Sequence, residues 1–376
     1  MCISGKTTVR AVLCIVILLG GCASVETKKA PSGKTVFYPL PPDPPRIQFL
    51  TSINGASDIV PARRGLDFLL FGERDKPSPV DALQQPHGIA VHEGRIYVCD
   101  RVGGAVKVID TQKRRFYPLN APGQIIQAPT NMCIDSDGYK FIVETERGYI
   151  HVFDPQDEYK TSFQVKEGRP SGVVAVGKEL FVSDLKNDRI QVLDRATGRL
   201  IRALGGKGSQ PGQFLMPNAI ARDAQGDLYV SDQMNYRFQK IDREGKPLLA
   251  AGQAGDSYGT FARPRGIDVG SDGTIYVTDA NNEVVQMFNQ QGQVLMAFGN
   301  FSASPGFLEL PAGVAVDKSC LPFFSRYVDP RFEAEYLIFV VSSVGKARVG
   351  VYAFGHLKPE ALNAELPIPD QKEKSK

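Results

Sequence analysis

The chain has no tryptophan, only four histidines, and no two cysteines at metal-ligand or redox spacing. A structural zinc site wants four Cys or His ligands and a catalytic one three, so zinc-finger classes are excluded and no metal or other cofactor is expected. Haem attachment is excluded too, because Cys-x-x-Cys-His does not occur. Charge of one sign is lacking: 44 Lys+Arg face 41 Asp+Glu, for a net charge of +3. Without a basic stripe to neutralise phosphates, nucleic acid is not an expected partner. Long apolar runs are missing, since Ala11 to Leu19 is too short to cross a bilayer comfortably. Helical periodicity is missing from the body, which excludes leucine-rich and helical solenoids. No nucleophile elbow or paired-carboxylate spacing stands out, and Gly205-Gly-Lys-Gly-Ser lacks the Walker spacing. Asp135-Ser-Asp-Gly138 lacks the distal glutamate of a calcium loop and reads as a hairpin turn. No residue is singled out as catalytic.

What is present is repetition. A Pro-x-Gly/Asn/Ala-hydrophobic start recurs at Pro86, Pro129, Pro170, Pro217, Pro264 and Pro311, at spacings of 43, 41 and then three times 47 residues. Each start leads to a second short strand ending at Asp100, Thr145, Asp184, Asp232, Asp279 or Ser342, and then to a third such as Arg189 to Asp194 or Val284 to Asn289. Within residues 264 to 299, Ser-Asp-Gly, Asn-Asn and Gln-Gly turns separate β-branched and aromatic runs, the pattern of a four-stranded meander. One such sheet exposes two faces and two edges and must stack on its neighbours. Six repeats of this length imply an all-β, six-bladed β-propeller.

Asn187-Asp-Arg-Ile-Gln-Val, Leu228-Tyr-Val-Ser-Asp232 and Gly205-Gly-Lys-Gly-Ser-Gln-Pro-Gly-Gln-Phe214 resemble the NHL repeat over roughly residues 80 to 355. That resemblance implies the propeller but not a function, because NHL propellers include enzymes, RNA binders and interaction scaffolds. The start Pro86-His-Gly is also similar to those of the peptidyl-hydroxyglycine amidating lyases, which hold zinc through histidines from three such starts. Here the other five starts carry no histidine, so the lyase zinc site is not expected.

Further expectations concern organisation. Lys6 and Arg10 followed by Ala11 to Leu19 and Leu19-Gly-Gly-Cys22 resemble a lipoprotein signal, residues 1–21, cleaved before a lipidated Cys22. Ala23 after that cysteine favours the outer membrane in a two-membrane cell, with the face unassigned. Residues 22–45 read as a Pro/Lys-rich tether, 46–357 as the propeller, and 358–376 as a disordered tail. Leu66 to Phe71 is an apolar run suited to a short capping helix. The sixth repeat lacks a fourth strand, and Ile47 to Ile53 is expected to supply it and so close the ring. After export Cys99, Cys133 and Cys320 remain; a Cys99–Cys133 bridge and buried free thiols are both open.

Two places are candidates for function. The residue after each proline should stand near one mouth of the central channel: His87, Thr130, Ser171, Asn218, Arg265 and Ala312, of which the first five can bind a ligand. A permanent charge at Arg265 suits a carboxylate or phosphate, or else a salt bridge with a channel acid. The second place is the insertion 318–336 in the sixth repeat, where Phe323, Phe324, Arg326, Tyr327 and Arg331 combine the aromatic and arginine anchors common at interfaces. Equally, that loop can fold onto its own blade. The function these features imply is a lipid-anchored envelope scaffold that binds a protein, peptide or glycan; a propeller lyase or hydrolase working at the channel mouth is the alternative.

Overall fold

The computed structural model describes residues 35–40, 42–61, 79–299 and 305–361. Cys22, the 66–71 run and the tail beyond residue 361 lie outside the described residues. The described residues form six antiparallel sheets, and the expected six-bladed propeller is the fold. Blade 5 shows the plan: Pro264–Val269 is innermost, then Ile275–Asp279, Val284–Phe288 and the outer Val294–Phe298. Blades 1 to 4 repeat it, with inner strands Pro86–His92, Asn131–Ile134, Pro170–Val176 and Pro217–Arg222.

The physical reason for the circle is visible in where the apolar side chains go. Both faces of the middle strands are buried: the pattern of Ile275–Asp279 and of Val284–Phe288 is buried at every residue. Six apolar clusters result, one at each junction between neighbouring blades. Tyr229 and Phe238 of blade 4 meet Ile275 and Phe288 of blade 5, and Met287 and Phe298 of blade 5 meet Ile338 and Tyr352 of blade 6. Ile96 and Val98 of blade 1 meet Leu337 and Phe339 of blade 6, which completes the ring. Each fully buried side chain of this size contributes about 1.5–3 kcal/mol, so no blade is stable without both neighbours.

Blade 6 is assembled from distant parts of the chain. Pro311–Asp317, Phe332–Ser342 and Val349–Leu357 are its inner three strands, and Ile47–Ile53 pairs antiparallel with Val349–Leu357, placing Phe49 opposite Tyr352. The expected closure is therefore present. A fifth strand, Val36–Tyr38, extends the sheet beyond it. This corrects the tether boundary: residues 36–38 are core rather than linker, because Phe37 packs 5.6 Å from Phe332 and Tyr38 packs 6.0 Å from Phe298. Proline-rich flanks hid three consecutive β-formers. At the other end Pro359–Ala361 forms a 3-10 turn with Ala361 buried, so the structured body runs past residue 358.

The sequence start Pro-x-Gly has a steric meaning. Inner strands of adjacent blades approach so closely that a Cβ on Gly266 would lie 2.5 Å from the carbonyl oxygen of Ala312, and one on Gly313 would lie 2.6 Å from that of His87. Glycine lets the inner strands converge. A second repeated device fixes the segment that enters each blade. The carboxylate at the end of the second strand accepts its backbone N–H groups: Gln84 and Gln85 donate to Asp100, Arg169 to Asp184, Leu215 to Asp232, and Ala262 and Arg263 to Asp279. In blade 2 this residue is Glu144, not the neighbouring Thr145 that the spacing suggested. The strand ends one residue earlier, and the longer side chain reaches Gln127 and Ala128. The pairs Asp184–Arg189 and Asp232–Arg237, at 3.3 and 2.9 Å, belong to the same device.

Candidate functional site

A central channel of about 780 Å³ runs between the inner strands. His87, Asn218, Arg265 and Ala312 line it, as the position after each proline suggested. Thr130 and Ser171 are buried and stand outside the lining. Thr130 Oγ1 lies 2.6 Å from Thr145 Oγ1 and donates to the Val143 carbonyl at 3.1 Å. Ser171 Oγ donates to the Asn218 carbonyl at 2.7 Å. Both hydroxyls are engaged internally, Thr130 within blade 2 and Ser171 across to blade 4, so neither joins the channel lining with the other expected residues. Alternation along an inner strand could not reveal this, because the partner of Ser171 sits on the next blade.

The geometry of the mouth is decided by one pair. His87 Nδ1 stands 2.9 Å from the Thr130 carbonyl, which can only accept, so Nδ1 carries the proton. His87 Nε2 then accepts from Arg265 Nη2 at 2.7 Å. Burial, reinforced by the Arg265 charge, lowers the imidazole pKa to about 3, so the ring is neutral. Arg265 comes from blade 5 and His87 from blade 1, with blade 6 between them. Its ring residue is Ala312, whose methyl leaves the path open. No carboxylate pairs with Arg265 among the described residues, which corrects the expected salt bridge: its partner is an imidazole. Burial and the charges of Arg263 and Arg101 lower its own pKa to about 10, still far above neutrality. Arg265 Nε is buried without an acceptor.

Deeper in the channel, the fourth residue after each proline gives a second ring. Ala90, Cys133, Val174, Ala221 and Ala315 are apolar or weakly polar, and Asp268 is the single acid. Its carboxylate accepts the N–H of Val316 on blade 6 at 2.8 Å and that of Val269 at 2.9 Å. Burial pushes this carboxyl up to about 6 against those bonds, and the nearby Asp317 charge adds to the rise. Sequence reasoning passed over Asp268, Arg101 and Arg263. The signal was available for Arg263, which immediately precedes the proline of its repeat. No group of three metal-ligating side chains gathers among the described residues.

The insertion behaves differently from the mouth. Phe324 is buried at 1 % exposure and stacks edge-on against Phe339 at 5.9 Å, so it is core and not a partner contact. Phe323 and Tyr327 pack partly against the same cluster. Arg331 is paired with Asp329 at 2.9 Å. Only Arg326 presents its head outward, lying over Phe323 and Tyr327 at 4.6 and 4.8 Å. The loop folds onto its own blade, and Gln48 of the closing strand ties it there by donating to the Tyr327 carbonyl and accepting from Asp329. Cys99, Cys133 and Cys320 are free thiols; Cys99 faces the junction of blades 1 and 2, whereas Cys133 packs toward blade 3.

The repeat can now be placed among known proteins. Residues 261–288 match the NHL repeat. The matched stretch holds Arg263, Arg265, Asp268 and Asp279, so blade 5 carries both the repeat signature and the charged residues of the two rings. A streptogramin B lyase structure is similar over 75% of this chain and 96% of that chain, at 15% identity and a TM-score of 0.51. A structural genomics protein of unknown function from Bacteroides thetaiotaomicron is similar over 82% of this chain and 75% of its own, at 14% identity and a TM-score of 0.54. At such identities the likeness is one of fold.

Proposed function

We propose that this chain is a lipid-anchored envelope propeller that works as a binding or assembly scaffold for a protein, peptide or glycan partner, with the channel mouth as its recognition surface. The observation that carries the reading is the state of His87. Both ring nitrogens are engaged, one with a carbonyl and one with a guanidinium, and the ring is neutral. A histidine so held has no free lone pair for a metal and no open position from which to take a substrate proton. The anchor part of the reading rests on the sequence, on Lys6 and Arg10, the apolar stretch Ala11 to Leu19 and Leu19-Gly-Gly-Cys22.

Two measurements test it. Cys22→Ser is expected to abolish fatty-acid labelling of the chain and release it from the membrane fraction; continued labelling would refute the anchor. Metal analysis of the purified full chain is expected to find no stoichiometric zinc or calcium, and stoichiometric metal would favour an enzyme. The alternative, a propeller lyase or hydrolase, draws support from one feature, the Asp268 carboxyl at about 6, which suits a general base. A turnover lost in Asp268→Asn would establish that alternative.

A further inference from the structure

Three arginines gather at the channel mouth with no carboxylate among the described residues paired to them. Arg265 projects from the inner strand of blade 5, Arg263 stands two residues before it, and Arg101 follows the second strand of blade 1. Both outer arginines act electrostatically on Arg265 and on His87, so the three charges share one locale. Arginines of neighbouring blades are paired: Arg169 holds Glu146 at 2.8 Å, Arg147 holds Glu144 at 2.9 Å, and Arg189 and Arg237 hold their strand-end aspartates. Among the described residues none of Arg101, Arg263 and Arg265 has such a partner.

Holding like charges together at a partly buried mouth costs free energy that a neutralising group would recover. The neutral ring of His87 fixes Arg265 in place without cancelling its charge, because an imidazole nitrogen accepts a hydrogen bond but supplies no negative charge. Burial there strengthens any charge-assisted bond to an incoming acceptor. Asn218, at the equivalent position on blade 4, also lines the channel and adds a neutral donor.

We infer that the mouth formed by Arg101, Arg263, Arg265 and Asn218 is a binding site for an oxyanion, a carboxylate or phosphate group carried by the ligand. This inference rests on the scaffold reading and specifies the chemistry its partner presents. A guanidinium held by a neighbour's imidazole is a fixed donor, and the two exposed arginines steer the anion toward it. No step in this binding breaks or forms a covalent bond.

Titration calorimetry of the detergent-solubilised full chain, with inorganic phosphate and separately with acetate as probes, tests it. Saturable binding of at least one probe is expected, with affinity lowered about tenfold in Arg265→Gln. Because Arg265→Gln can disturb the His87 contact, the exposed double variant Arg101→Ala/Arg263→Ala is the second arm. It should weaken binding several-fold without lowering the melting temperature, since it relieves like-charge repulsion at the mouth. Phosphate binding without acetate binding assigns a phosphate-bearing ligand, and the reverse a carboxylate-bearing one. Absence of saturable binding by either probe, or equal affinity in both variants and the wild type, overturns the site while leaving the scaffold reading standing. The scaffold reading falls separately, if the chain turns over a substrate.

Discussion

Blade 5 and blade 6 follow one plan and differ in what fills its special positions. At the first ring position blade 5 has Arg265 and blade 6 has Ala312; at the second, Asp268 and Ala315; at the end of the second strand, Asp279 and Ser342. Blade 5 is contiguous, from Pro264 to Phe298, whereas blade 6 combines residues 311–357 with Ile47–Ile53 and Val36–Tyr38. The difference separates two jobs. Blade 5 supplies the charged residues of the two rings and holds its own turns by local hydrogen bonds. Blade 6 supplies room, and it is held by apolar contacts across long sequence separation. Its Phe332, Phe339 and Val351 share one cluster with Ile96 and Val98 of blade 1.

The sharpest way to break the comparison is to remove the part that only blade 6 borrows. Deleting residues 46–53 exposes the edge of Val349–Leu357 and uncovers Tyr352 and Phe354. Loss of a cooperative thermal transition by circular dichroism is expected; an unchanged melting temperature would mean that the ring closes without this strand.

A smaller effect compares the strand-end groups directly. Asp279 accepts N–H groups from Ala262, Arg263, Asn281 and Asn282, along with the Asn282 side-chain amide. Ser342 accepts one, from Glu309 at 3.3 Å. Asp279→Ala leaves several partly buried donors without this partner and should cost about 1–3 kcal/mol in urea denaturation, while Ser342→Ala should cost less than about 1 kcal/mol. Equal costs would show that blade 5 does not depend on this carboxylate.

A further effect is one of pH and concerns the second ring, where only blade 5 has an acid. An unfolded aspartate titrates at about 3.9, and burial holds the folded Asp268 at about 6. The folded chain therefore binds this proton more tightly. The carboxyl's contribution favours the fold fully below the unfolded value and is lost as pH rises through the folded one. Asp268→Asn, matching the uncharged Ala315 of blade 6, should gain in melting temperature relative to the wild type as pH rises from about 4 to 6. A constant difference across that range would contradict burial as the cause.

The same comparison explains which parts were legible beforehand. Blade 5 could be read because its strands, turns and strand-end aspartate lie within one stretch whose alternation and Ser-Asp-Gly and Asn-Asn turns are local signals. Ile47–Ile53 could be read because counting strands left blade 6 one short. Val36–Tyr38 could not: a three-residue strand between prolines has no periodicity, and its stability comes from Phe332 and Phe298, hundreds of residues away. In the candidate site, His87, Asn218 and Arg265 were placed at the mouth by their offset from proline. The engagement of Ser171 and Thr130 and the burial of Phe324 were hidden, since each depends on a neighbouring strand or blade that local spacing does not specify.

Repetition in the sequence by itself determined the six blades, their strand order and, in four of the six repeats, the residue after the proline that faces the channel. Short-range alternation and turn chemistry are physical constraints on contiguous residues, and stacking such sheets is the only way to bury both faces. The tertiary structure alone decided that Arg265 reaches across blade 6 to His87, that three arginines share one mouth, and that the aromatic insertion closes onto its own blade. Those outcomes depend on distances between residues far apart in the chain and on the small side chain of Ala312 between two large ones. They exist only once the ring has closed.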